Sequence, residues 1–158
     1  MQPVHSSPLL TRVHAVAGGL ALVTVLSFLS ATLAVEVLGT ASAIAVVKTV
    51  IVWGLLILVP AMAMAGASGF RLAKGRLKGV IGRKAVRMRV IAANGLLVLV
   101  PSALFLAWKA RSGDLDTIFA VVQGLEILAG IANLTLLGLN MRDGLILHRA
   151  RRAMAARA

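Results

Sequence analysis

The sequence predicts an all-α, polytopic membrane protein, folded as a single antiparallel bundle of four transmembrane helices. Of its 158 residues, 59% are hydrophobic and 14% are charged, whereas a soluble domain is about half apolar and about a quarter charged. Four apolar stretches reach the roughly 20 residues that a helix needs to cross a bilayer. Most of the basic residues lie in the segments between and after these stretches.

Apolar runs and turn signals place the four spans and their connections along the chain. We predict spans at 13–38, 43–66, 90–108 and 117–141, a basic cytoplasmic loop at 67–89 and a basic cytoplasmic tail at 142–158. Residues 39–42 form a tight turn, so the first two spans make an antiparallel hairpin. Asp116 precedes the last span and is placed to cap its amino end.

Lysine and arginine are distributed unevenly between the two sides of the predicted bundle. Fourteen lie on the side of the termini and the middle loop, against Lys109 and Arg111 on the other side. The positive-inside rule therefore predicts that both termini are cytoplasmic, and it excludes insertion in both orientations.

The bias toward Ala, Arg and Val is typical of a GC-rich bacterial gene, which indicates a bacterial inner membrane. Cleavage of the first span as a signal peptide is the alternative, and it leaves the other orientations unchanged.

The basic segment Arg71–Arg89 interleaves charged and apolar residues. We expect a helix broken near Gly75, Gly79 and Gly82 that lies along the membrane face and attracts anionic lipid headgroups. Ordinary positive-inside charge, which needs no special ligand, also explains this segment. Stacking aromatics do not accompany these charges, so the net charge of +12 does not indicate nucleic-acid binding. The other partners expected are a membrane protein or a second copy of the chain.

Motifs for catalysis or metal binding are missing from the sequence. There is no cysteine, no Ser/His/Asp grouping, no phosphate loop and no His-Glu-x-x-His spacing. We therefore predict no catalytic residue, no metal site and no enzyme.

Polar side chains within the spans are the candidates for function, because they are costly in lipid unless they face other helices. The intramembrane candidates are Glu36, Lys48, Asn94, Gln123, Glu126, Asn133 and Asn140. On the last span a stripe with successive spacings of three, four, three, four and three residues faces inward: Gln123, Glu126, Gly130, Asn133, Leu137 and Asn140. Hydrogen bonding that holds the helices together is the competing structural interpretation.

These groups fall into two clusters at different depths along the predicted helices, one toward each face of the membrane. Glu36 and Lys48 flank the first turn and are expected to pair as ions. Glu126 then has no cation and is expected to be neutral, because burial raises a carboxyl pKa. A proton or ion pathway through Glu126 and the Glu36/Lys48 pair is one functional hypothesis. His14, Asn94 and Asn140 are expected toward the inner face.

The run Arg12-Val13-His14, with Gly18 four residues after the histidine, resembles first-helix segments of small membrane b-type cytochromes over one or two helical turns. The resemblance implies heme b and an axial ligand at His14. Methionines at the depth of His14 could supply a second ligand, namely Met62, Met64, Met88 and Met141. In the structural alternative, His14 hydrogen-bonds to headgroups or to neighbours such as Asn94 or Asn140.

A short sequence recurs in the second and third spans, which cross the membrane in opposite directions. Residues 54–60 read GLLILVP and residues 95–101 read GLLVLVP, identical at six of seven positions. An inverted transporter-like repeat is one explanation. Paired kinks, set by Pro60 and Pro101, are the other. The match does not extend beyond these residues.

Taken together, these features predict a small integral membrane protein that acts as a binding, transport or accessory component with a polar bundle interior. The heme electron carrier and the proton or ion pathway are the alternatives.

Overall fold

The computed structural model describes residues 8–73 and 79–155, and these residues are almost entirely helical. The elements are α1 (Pro8–Leu38), α2 (Ala41–Ala73), α3 (Gly79–Asn94), a π-helix (Gly95–Leu99), α4 (Val100–Arg111) and α5 (Thr117–Ala155). α3, the π-helix and α4 run on as one third span. Four helices are therefore long and apolar enough to cross a membrane, which confirms the predicted multi-pass bundle.

The helices are arranged around the bundle in chain order. α1 and the third span each pack against both α2 and α5. α1 therefore lies diagonally opposite the third span, and α2 lies diagonally opposite α5. We refer to the end with residues 39–40 and 112–116 as the turn end, and to the opposite end as the basic end.

The helices extend further at the basic end than the sequence predicts. The third span has 33 residues, about 50 Å at 1.5 Å per residue, whereas the hydrocarbon layer is about 30 Å thick. The prediction that the basic segment lies along the membrane is wrong for its described part, because 79–89 continues directly into the third span. Gly79 begins this helix with a φ of 64°, and Gly82 lies inside it. Gly75 lies outside the described residues.

The interior of the bundle is built largely from small side chains. Its buried alanines are Ala17, Ala21, Ala61, Ala65, Ala73, Ala103, Ala107, Ala110 and Ala129. Small residues let helix backbones approach closely. Lipid tails are as apolar as the protein interior, so in a membrane this close packing, rather than the hydrophobic effect, drives the association of helices.

Larger apolar side chains form two layers inside the bundle. Val25, Ile91 and Leu137 meet near its middle and form the central apolar layer. Leu106, Ala110 and Phe119 form the turn-end apolar layer. Each layer occupies the interior at its own depth along the bundle axis. The layers therefore separate polar groups that lie at different depths.

The loop before α5 is fixed by Asp116, as the sequence predicts. Its Oδ1 accepts a hydrogen bond from the Phe119 backbone N–H at 2.9 Å, and its Oδ2 lies 2.7 Å from Lys109 Nζ. The hydrogen bond from Lys109 is the main reason that the pKa of the Asp116 carboxyl lies below its usual range. The last helix therefore begins with a charged cap.

The two copies of the repeated heptapeptide adopt different conformations. α2 continues as an α-helix through Pro60, whereas the second copy forms the π-helix over Gly95–Leu99, and α4 begins with Val100 and Pro101. A proline leaves the carbonyl four residues back without its usual partner, and a π-turn is one way to accommodate this. Because the copies differ in local structure, the repeat does not form a symmetric pair.

Candidate functional site

A buried ion pair crosses the bundle axis in the turn-end half. Lys48 Nζ on α2 lies 2.5 Å from Glu126 Oε2 on α5, and the lysine side chain is fully buried. Gln123 lies one turn before Glu126, and its Nε2 donates to the same carboxylate oxygen at 3.4 Å. Since α2 and α5 are diagonally opposed, the long lysine side chain bridges two helices whose backbones do not pack together.

The predicted Glu36–Lys48 pair is wrong. Glu36 is exposed, close to the end of α1, where a carboxylate can reach water or headgroups. Lys48 lies about 10 Å below the start of α2 at 1.5 Å per residue, and it turns instead toward the bundle axis. The expectation that Glu126 lacks a cation is therefore wrong as well, because Lys48 supplies one.

A second polar contact joins α3 to α5 deeper in the membrane. Asn94 Nδ2 donates to Asn133 Oδ1 at 2.8 Å and to the Ala129 carbonyl at 2.9 Å. Asn133 Nδ2 donates to the Ile91 carbonyl at 3.3 Å. Asn94 is also the residue directly before the π-helix. These amides satisfy each other and the backbone, as expected for side chains that hold two helices together.

His14 is anchored to α2. Its Nδ1 lies 3.0 Å from the Ala65 carbonyl oxygen and 3.2 Å from Ser68 Oγ. A carbonyl can only accept, so Nδ1 carries the proton and donates, and the neutral ring keeps a lone pair on Nε2. A β-carbon at Gly69 would lie 3.0 Å from His14 Cε1. The absence of a side chain at Gly69 therefore leaves space for the imidazole ring.

The partners of His14 differ from those that the sequence predicted. Asn94 contacts α5, and Asn140 has no hydrogen-bond partner for either amide atom among the described residues, although the side chain is buried. Ser68 lies beyond the predicted end of the second span at residue 66, so the sequence analysis missed it. The longer α2 brings it opposite His14.

A second missed contact lies at the basic end. Arg87 Nη1 on α3 forms an ion pair with Asp143 Oδ2 on α5 at 2.7 Å, and Arg142 Nη2 lies 3.6 Å from the other carboxylate oxygen. Asp143 falls three residues after Asn140, so extending the stripe on the last helix would have found it. It was missed because residues 87 and 143 were placed in a loop and a tail.

The polar side-chain contacts divide the bundle into two hairpins. His14 binds within the α1–α2 hairpin, and the Asn94–Asn133 and Arg87–Asp143 contacts lie within the hairpin of the third span and α5. Among the side chains that the structure describes (8–73, 79–146, 148 and 149), Lys48–Glu126 is the one hydrogen bond or ion pair between the hairpins. The hairpins are thus joined by a polar contact in the turn-end half and by apolar packing elsewhere.

A cleft opens between α2 and α3 in the basic half of the bundle. Within the third span, α2 packs mainly on α4 and much less on α3, which leaves a cavity of about 870 Å³ with α1 and α5 behind it. Its walls include Leu58, Met62, Gly66, Met88, Ile91 and Leu99. We refer to this cavity as the α2–α3 cleft.

Five side chains with polar or charged tips line the basic end of the α2–α3 cleft: Thr11, His14, Lys84, Arg89 and His148. Of the methionines proposed as cofactor ligands, Met62 and Met88 line the cleft, whereas Met64 and Met141 are half exposed and do not. The structure therefore gathers Lys48, Gln123 and Glu126 in one place, Asn94 with Asn133 in another, and His14 with Met62 in the cleft walls.

No protein family, curated protein or solved structure matches this chain in sequence or fold comparison.

Removing either partner of the ion pair should destabilise the bundle. In Lys48→Met or Glu126→Gln, a buried charge loses its partner, and we expect a loss of about 3 kcal/mol. The double variant Lys48→Met/Glu126→Met should lose less than either single variant, because no charge is left unpaired. Unfolding in SDS, followed by circular dichroism, measures these differences.

Glu36→Gln is the matched control, since it removes an exposed carboxylate near the same turn, and it should change stability by less than about 0.5 kcal/mol. Single variants at Lys48 and Glu126 that unfold like this control would contradict a structural role for the pair.

Proposed function

We propose that this protein is a small membrane binding component that holds an apolar or amphipathic ligand, taken from the bilayer, in the α2–α3 cleft. The observation that carries the proposal is the cleft itself. Its volume of about 870 Å³ falls within the range of about 300–1,000 Å³ typical of ligand pockets. Its walls are apolar, and it lies between two membrane-spanning helices, so a ligand can enter sideways from the lipid.

The arrangement of polar groups supports binding in the cleft over conduction through the interior. Asn94 and Asn133 satisfy each other in mid-bundle, whereas Asp143 is paired at the basic end. The central apolar layer of Val25, Ile91 and Leu137 lies between these two levels. On this basis the Lys48–Glu126 pair and the two asparagines form the scaffold that holds the cleft walls, rather than a proton or ion pathway.

We propose a bacterial inner-membrane location with both termini in the cytoplasm. The support is the charge distribution: Arg83, Lys84, Arg87 and Arg89 lie in the basic-end extension of the third span. At the turn end, by contrast, Lys109 is paired with Asp116. The positive-inside rule then places the basic end, and the opening of the cleft, at the cytoplasmic leaflet.

A b-type heme carrier is a second candidate, and the orientation of His14 favours it. Histidines that ligate metals donate their other ring N–H to a carbonyl or carboxylate, and His14 Nδ1 donates in this way to the Ala65 carbonyl. The free Nε2 belongs to a ring that lines the cleft, where Met62, Met88 and His148 are available as second ligands. Lys84 and Arg89 at the basic end suit the carboxylates of a porphyrin.

Filling the cleft should remove ligand binding without unfolding the protein. A β-carbon at Gly66 meets no atom within 4 Å, so Gly66→Leu can project into the cleft. We expect the variant to retain far less phosphatidylcholine than the wild type in native mass spectrometry after delipidation in mild detergent. Gly124→Leu is the control, because Gly124 has the same free space but lies in the turn-end half, outside the cleft. Equal lipid retention by both variants would refute the proposed site.

The orientation can be tested separately from ligand binding. An alkaline phosphatase reporter at the carboxyl terminus should be inactive in cells, and a fluorescent protein at the same position should fluoresce, because that end is cytoplasmic. The opposite pattern would overturn the proposed location of the cleft.

The heme candidate has a spectroscopic test. If heme is the ligand, purified protein supplemented with hemin should show a Soret band and a reduced-minus-oxidised difference spectrum, and His14→Ala should lose both. His5→Ala is a control that removes a histidine outside the predicted spans. A wild-type protein that gains no Soret band after supplementation would eliminate this candidate and leave the binding proposal intact.

A further inference from the structure

We infer, on the basis of the proposed function of the cleft, that its ligand is an anionic lipid whose head group binds Lys84 and Arg89. Both residues line the α2–α3 cleft on its α3 side. Counted from the turn end of the third span at Arg111, they lie about 40 Å and about 33 Å down the helix. With a hydrocarbon layer of about 30 Å, this is the depth of the lipid head groups at the basic end.

Neither cation forms an ion pair with a carboxylate. Only five acidic residues occur in the sequence, and Asp143 is the one at the basic end. Its oxygens face Arg87 and Arg142. Asp143 also acts electrostatically on Lys84, but Lys84 and Arg89 form no ion pair with any described residue, so the cleft mouth carries a net positive charge.

Lys84 is held in a position that favours a bound anion. The side chain is half buried, and its Nζ lies 3.2 Å from the place where a β-carbon of Gly144 would be. The glycine on α5 thus leaves room for the ammonium group beside the cleft. A partly buried cation without a partner is unfavourable, so an anionic head group at this position would stabilise it.

The wall below the cations indicates a lipid rather than a free anion. Lys84, Met88, Ile91 and Gly95 follow a spacing of four, three and four residues, so they lie on one face of α3 and run on into the π-helix. All four line the cleft. A ligand with its head group at Lys84 would therefore place an apolar chain along Met88 and toward Gly95, whereas a small anion would leave these walls empty.

The test compares an anionic with a zwitterionic lipid of the same acyl chains on the full-length protein. Native mass spectrometry of the delipidated wild type should show preferential binding of phosphatidylglycerol over phosphatidylcholine. Each basic residue contributes about five-fold, so the preference should reach roughly thirty-fold for both. Lys84→Gln/Arg89→Gln should bind the two lipids equally while keeping the wild-type affinity for phosphatidylcholine.

Arg83→Gln is the matched control, because it removes one positive charge from the same helix at an exposed position that does not line the cleft. It should keep the preference for phosphatidylglycerol. Far-ultraviolet circular dichroism and SDS unfolding of all variants check that the charge changes leave the bundle folded.

The outcomes separate this inference from the proposed function. Equal binding of both lipids by the wild type, with both reduced by Gly66→Leu, would overturn the anionic ligand and leave the cleft as a binding site. Displacement of phosphatidylglycerol by an excess of inorganic phosphate, without effect on phosphatidylcholine, would indicate a free-anion site and also overturn the inference. Insensitivity of both lipids to Gly66→Leu would refute the cleft itself.

Discussion

The structure depends on the fact that lipid offers no hydrogen bonds to a buried polar side chain, so such groups find their partners inside the protein, with the Asn140 amide and Gln123 Oε1 as exceptions among the described residues. Lys48 is the strongest case, because its ammonium group is fully buried and Glu126 is its partner. The two residues lie on diagonally opposed helices. Their contact therefore fixes the vertical register of one hairpin against the other, which apolar packing alone leaves free to slide.

The other polar contacts explain why the cleft lies where it does. Each hairpin is held together near the basic end by its own side chains, with His14 on α2 in one and the Arg87–Asp143 pair in the other. α2 and α3 face each other there without a side-chain hydrogen bond or ion pair among the described residues. Separation of the two helices at this point breaks no polar contact, and a ligand can occupy the space at little cost to the scaffold.

The sequence predicted the spans, their antiparallel order and the inward stripe on the last helix, because apolar length and helical periodicity are local properties of the chain. The predicted helix ends at 66, 90 and 141 fall short of the observed helices, which end at Ala73, begin at Gly79 and end at Ala155, since interspersed basic residues fit an exposed helix as well as a loop. The Glu36–Lys48 error arose from proximity along the chain, whereas the true partner lies 78 residues away. The cleft depends on the distance between helix axes, which small side chains such as Ala61 and Ala103 set jointly and which no single segment encodes.

The π-helix at Gly95–Leu99 has a geometric consequence for the third span. Its wider turn holds one residue more than an α-helical turn, and one residue corresponds to about 100° of rotation about the helix axis. Side chains after it are therefore out of phase with those before it. This offset lets α3 present Met88 to the cleft while α4 turns Leu106 and Ala110 into the turn-end apolar layer. One continuous helical span thus lines the cleft over one half of its length and packs into the turn-end apolar layer over the other.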